Sequence, residues 1–289
     1  MMSAYTEYFA AVKACSKAAQ AELASVWKSL DLSDPAAARN IMLELLPAIV
    51  ERYGDAAATA AAEMYEAVMY AELGTARNVA IAANDTLGMT NSVRYAAGMM
   101  FNGEHARAAS TLARALDYYV KRPARDTVMD NVAVDRRLGA RWARVPQGIE
   151  TCEFCIMLAS RGFVYHSKSD AIDGYHTDCD CMPVVSFSDD PYVEGYDPEH
   201  YYDLYREMKD KGKWNRNGAS GPKGGGMPKG GGMGEFSSIA DMHRHIKDAE
   251  NLEDLRKRCE DVERAAGLLS NNAMLSLRQT VRDKKKELS

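Results

Sequence analysis

Tyr5, Phe9, Val12, Cys15, Ala19, Leu23, Val26 and Leu30 recur at three- and four-residue steps, the apolar stripe of an amphipathic helix. Ser33-Asp34-Pro35 then supplies capping side chains with a proline at the first helical position. Ile41, Leu45, Ile49 and Tyr53 carry the next stripe as far as Gly54, and an alanine-rich run from there ends at Gly74. Thr90, Asn91 and Ser92 are expected to open a further helix, and Pro123 to close the one after it. Residues 125–143 read as helix with the charges on one side. The pattern over residues 1–145 therefore predicts a helical bundle with a core of aromatics, alanines and methionines.

The texture changes at Pro146. From 146 to 197 short apolar pieces (FVY, MPVVSF) sit among Gly, Asp, Ser and Pro, which suits a small α+β unit with short strands. Its apolar runs are too short for a large core of its own, and small units of this kind need a staple. Asp197-Pro198 starts a helix over 198–211, with Tyr202, Tyr205 and Met208 on one face. Residues 212–235 hold ten glycines and a tandem PKGGGM, the composition of a flexible linker. Helical periodicity resumes over 236–289 (Ile239, Met242, Ile246; Leu252, Leu255, Cys259, Val262), a C-terminal helical module. The fold class expected is mainly α.

A formal net charge of −5 over 289 residues gives no global signature of a nucleic-acid or membrane binder. The N-terminus lacks a basic region followed by an unbroken apolar stretch, and no window reaches the length of a membrane span. A cytosolic chain is expected, where thiols stay reduced and close cysteine pairs signal metal or redox chemistry rather than disulfides.

The cysteines then become the informative feature. Cys152-x2-Cys155 is followed, twenty residues on, by His176-x2-Cys179-x-Cys181. Zinc takes four tetrahedral thiolate or imidazole ligands, commonly as two closely spaced pairs separated by a loop. Five candidates compete for four places. Four thiolates with His176 outside the shell is one solution; three thiolates with the imidazole is another. A redox pair at TCEFC is the competing reading. Cys15 and Cys259 lie on apolar helical stripes and read as small core residues. One structural Zn2+ per chain is the expectation.

Catalytic zinc needs an open position and a nearby base. The zinc-deaminase pattern fails, because Thr177-Asp178 follows His176 and no proline immediately precedes Cys152. No His-Glu-x-x-His occurs, His243 and His245 point to different faces of a helix, and His166 reads as a surface residue. The glycines at 224–232 lack the strand and helix of a phosphate loop. A chain that is not an enzyme is expected.

The order of a long helical half, then WARVPQGIETCEFCIMLASRGFVY, then YHTDCDCMPVV resembles the phage Mu protein F-like minor head proteins of tailed bacteriophages, in their actinobacterial-phage form. The residues that carry the resemblance are Cys152, Cys155, Ala159, Ser160, Arg161, Gly162, His176, Cys179 and Cys181. It is most specific over 140–187 and says little about 212–289. The resemblance implies a low-copy component of the virion head, acting in the host cytoplasm during assembly. It would dock on the portal and on major capsid or scaffold proteins, with phage DNA as a further contact and no membrane partner. Two other readings compete. One is a zinc-dependent nucleic-acid hydrolase or toxin using His166, His176 or Asp178; the other is a zinc-ribbon regulator, which the net charge opposes.

Overall fold

The computed structural model describes residues 3–148, 151–171, 175–210 and 244–251, and beyond them 253–255, 257, 258, 280, 284, 287 and 288. The chain is mainly α, with four long helices: α1 (Ala4–Ser29), α2 (Pro35–Leu73), α3 (Thr86–Phe101) and α4 (His105–Val134). Strand β1 (Arg141–Val145), the short α5 (Glu153–Ala159), strand β2 (Met182–Ser186) and α6 (Pro198–Asp210) follow.

Local signals set the helix ends. Ser3 caps α1 by accepting the Thr6 amide, and Asp34 caps α2 by accepting the Ala36 and Ala37 amides, with Pro35 just inside. Gly74, at φ 72°, closes α2 in the left-handed conformation that glycine adopts without strain. On α1, Gln20 donates to the Ala113 carbonyl at 2.6 Å while Ser16 meets Asp117, so α1 and α4 run antiparallel.

Four expectations change here. Helix α2 passes through Gly54 without ending. A Cβ at Gly54 would run into the Asn84 side chain and sit 3.2 Å from Pro123 Cγ, so glycine is there for close approach, not as a stop. Pro123 lies inside α4, seated in the space that Gly54 leaves open. Helix α3 opens four residues earlier than Thr90, at Thr86, because Asp85 accepts the Gly88 amide at 2.8 Å. Finally, the helical turn after α4 stops at Leu138, with Gly139 at φ 87°, and residues 141–143 belong to strand β1.

The segment between α2 and α3 is extended and runs back along the bundle. Its amides are satisfied by side chains: Val79 by Glu66 at 2.7 Å, Ala80 by Asn131 at 3.2 Å, and Ala82 by Thr127 at 3.0 Å. Buried Asn131 and Thr127 on α4 thus take the place of a strand partner.

Among the described residues, two large apolar clusters fill the interior. One joins Leu23, Met42, Leu46, Ile49, Met89, Val93, Leu112 and Leu116 across the four long helices. The other joins Tyr8, Tyr65 and Val128 of the helices to Trp142, Phe163, Val184 and Tyr196 of the later segment. Each fully buried side chain of this size contributes roughly 1.5–3 kcal/mol. β1 and β2 pair antiparallel, Trp142 opposite Val185, and both are buried along their whole length. The Glu72 carboxylate of α2 accepts the Ser188 amide at 3.0 Å and both its oxygens meet the Ser186 hydroxyl, fastening the end of β2 to the bundle.

The glycine-rich stretch 212–235 lies outside the described residues, as does most of 236–289, Cys259 included. The part described packs on α6: Arg244 sits 4.1 Å over the Tyr202 ring, Lys247 meets Glu199 at 3.6 Å, and Ile246 is buried. Among the described residues no helix is long and apolar enough to cross a membrane.

Candidate metal centre

Cys152 is the N-cap of α5, and its sulfur accepts the Cys155 amide at 3.4 Å. That cap turns Cys155 inward, where it is buried. The second half is the turn before β2. Cys179 donates its amide to the His176 carbonyl at 3.1 Å, and Asp178 between them has φ 72°. Cys179 and Cys181 emerge from this turn buried, and β2 begins at the next residue.

All five candidates therefore converge. Cys155, Cys179 and Cys181 form one group whose ligand atoms lie within 4.8 Å of one another, and Cys152, Cys155 and His176 form a second such group, with Cys155 shared between the two. The sulfurs of Cys155 and Cys179 are 3.5 Å apart. Two thiolates of one tetrahedral zinc, each about 2.3 Å from the ion, lie about 3.8 Å apart, so little adjustment is needed. His176 Nδ1 is 2.7 Å from the Thr177 carbonyl and so carries the proton, which directs Nε2 at the cysteines. Ligating or ligand-supporting imidazoles are fixed in this way. The cluster could hold a metal ion, and soft thiolates with an imidazole suit zinc.

Three residues that the sequence reading passed over build the floor of the site. Arg125 of α4 and Arg144 of β1 are both 1% exposed. Their guanidiniums sandwich the Tyr175 ring at 4.1 and 3.8 Å. Arg125 also donates to the main-chain carbonyls of Cys179, at 2.5 Å, and Cys181, at 3.2 Å. Arg144 Nη2 lies 3.9 Å from the Cys179 sulfur. In the sequence Arg125 reads as one of the charges on one side of a helix, and Arg144 falls within the 1–145 stretch predicted to be helical. Only their partners, far away in the chain, reveal them.

The electrostatics follow. Hydrogen bonds from the Cys155 and Cys181 sulfurs, then the charges of Arg125 and Arg144, hold the Cys179 thiol well below its ordinary range. Hydrogen bonding with Cys155 and then His176 lowers Cys152 to about 4, and Cys152 in turn raises His176 to about 9. Both shifts favour thiolate beside imidazolium.

His166 and His245 make their contacts elsewhere. His166 has Nδ1 3.1 Å from the Ala140 carbonyl and its amide on Asp170. His243 lies outside the described residues, and His245 Nδ1 lies 3.5 Å from Arg258 Nη1. Asp178 is engaged by Arg114, and Lys168 by Asp126 and Asp130. A cleft of about 640 Å³ opens between α4 and the Tyr175 turn, bordered by Tyr118, Arg122, Trp142, Lys168 and His176.

No curated protein and no solved structure matches the chain. The VG15 protein family, a family of viral proteins, matches residues 2–208, a span that takes in the helical bundle, every candidate ligand and nearly all of α6. The chain thus belongs to the VG15 protein family.

Proposed function

We propose that the chain is a structural protein of a tailed-phage head, acting in head morphogenesis with a structural zinc. The observation that carries this reading is the meeting of Cys152, Cys155, His176, Cys179 and Cys181 at one point on a helical scaffold, in a chain of a viral family. The same residues carry the resemblance to the Mu protein F-like minor head proteins. In this role the zinc ties the α5 turn to the β2 turn, and so holds the later segment, which shares its core with α1, α2 and α4, in one arrangement. The long helices then offer docking surface to the portal and to capsid or scaffold protein, with DNA contact as a further part of the role.

The hydrolase reading finds less support. It would use His166, His176 or Asp178 to activate water, and Asp178 is held by Arg114 while His176 Nε2 lies against the Cys152 sulfur. The test is the composition of purified virions by mass spectrometry, with affinity capture of the tagged chain from infected cells. The expected result is a few copies of the chain per particle and co-capture of the portal protein. Absence from particles, with no portal protein captured, would overturn the reading.

A further inference from the structure

We infer that α6 carries a docking face for a cationic helical segment, and that the chain brings its own occupant. The segment from Arg244 to Arg258, tethered beyond the glycine-rich stretch, sits on that face as a cap.

The face is built on Tyr202. α6 packs Tyr201 and Tyr205 against the core of the later segment. Tyr202, the next position round the helix from Tyr201, is also only 9% exposed. Its cover is Arg244, whose guanidinium lies 4.1 Å over the ring. Glu199 and Asp203, one turn apart, flank that ring and meet Lys247 at 3.6 Å and Arg244 at 3.5 Å. An aromatic ring between two carboxylates suits a helix that offers two cations three residues apart.

The occupant matches it. The Asp248 amide donates to the Arg244 carbonyl at 2.9 Å, closing a helical turn that sets Arg244 and Lys247 on one side. Asn251 starts a second turn by accepting the Glu253 and Asp254 amides. Arg258 ties that turn to the first through the His245 carbonyl at 3.1 Å. Ile246, Ala249 and Leu255 are buried. Helical turns this short are not stable alone in water, so the face they rest on supports their shape.

Two features make this contact a docking and not a continuation of the core. The family match covers residues 2–208, so Glu199, Tyr202 and Asp203 lie within it and the occupant lies beyond it. The sequence between them, over 212–235, holds ten glycines, the composition of a spacer. A segment tethered by such a spacer meets its site at an effective concentration of about millimolar, so a few contacts suffice to seat it. Arg244 is the anchor, with its side chain 19% exposed, while Lys247 and Glu199 are 58% and 46% exposed and screened by water.

The full chain, with a protease recognition sequence inserted between Gly225 and Gly226, tests this. The probe is a fluorescently labelled peptide of residues 240–258, followed by anisotropy. The cut chain should bind it, and the uncut chain should bind it on the order of 100-fold more weakly, because its own segment competes from the tether. Arg244→Ala in the peptide should weaken binding about 10–30-fold, and Lys247→Ala less than about 5-fold. On the uncut chain, mixed from heavy and light isotopes, a carbodiimide should join Glu199 to Lys247 within one copy. Equal binding by cut and uncut chain would overturn the cap. A cut chain that ignores the peptide, or an Arg244→Ala peptide that binds like the unmodified one, would overturn the docking face. Cross-links found only between heavy and light copies, or no Glu199–Lys247 link at all, would overturn the seat within one chain. Should cleavage unsettle the fold, the cross-linking of the uncut chain still decides.

Discussion

The guanidinium of Arg114 on α4 grips both carboxylate oxygens of Asp178, the residue at φ 72° between His176 and Cys179. A charge pair thus spans the bundle and the ligand turn at the point where the backbone is left-handed. The two features differ in weight. The side chains are 55% and 52% exposed, so water screens the pair. Arg114→Ala should lower stability by no more than about 1 kcal/mol. Asp178→Val places a β-branched residue in the left-handed region and should cost more, about 1–3 kcal/mol beyond the lost pair. Thermal melts of the two variants check the order; equal losses would contradict it.

A deeper network joins α2, the turn after α4 and the extended strap. Asp135, with its side chain 5% exposed, accepts from the Tyr65 hydroxyl at 2.8 Å and from Arg77 Nε at 3.0 Å, while Arg77 Nη2 reaches Asn131 at 2.9 Å. Asp135→Ala leaves the phenol and the guanidinium without their acceptor and should cost roughly 2–4 kcal/mol. Tyr65→Phe removes a single hydrogen bond and should cost about 1 kcal/mol. Urea denaturation at neutral pH measures both, and an Asp135→Ala loss below that of Tyr65→Phe would refute the network.

Alkaline pH should unfold the chain from the tyrosines outward. Burial pushes the Tyr5, Tyr165 and Tyr196 phenols well above their ordinary value, and each donates to a main-chain carbonyl, of Val185, Leu158 and Ala159. A group whose pKa is raised by folding contributes its stability fully below the unfolded value, and loses it as pH rises past that value. Stability should therefore fall from about pH 10 upward, the unfolded tyrosine range. Tyrosinate absorbance should rise together with the loss of helical circular dichroism. Full ionisation with the helices intact would contradict this.

Much of the bundle was legible in the chain. The 3.6-residue stripe of α1, the Asp34-Pro35 start and the Gly74 stop of α2 are local signals, and local signals survive folding. Gly54 and Pro123 misled because each is a breaker in isolation. Packed against each other they become a close helix contact, a property of two elements at once. β1 was missed for a similar reason. RWARV carries arginines three residues apart, a helical spacing, and both are buried by partners elsewhere in the chain: the Ser188 carbonyl for Arg141, and the Tyr175–cysteine cluster for Arg144. The five candidate ligands were legible because metal chemistry restricts residue type and spacing. The arginines beneath them were not, since a buried cation has no sequence pattern of its own.

In the role proposed above, Cys152, Cys155, His176, Cys179 and Cys181 gather around a structural zinc. Metal content per chain by elemental mass spectrometry, on protein purified without a metal-binding tag and with thiol titration alongside, tests it most directly. The expected result is one zinc per chain and cluster thiols that react only after a chelator removes it, with loss of order in the segment that carries α5 and β2. A chain without metal, whose Cys152 and Cys155 react freely or oxidise to each other, would contradict it and return TCEFC to redox chemistry.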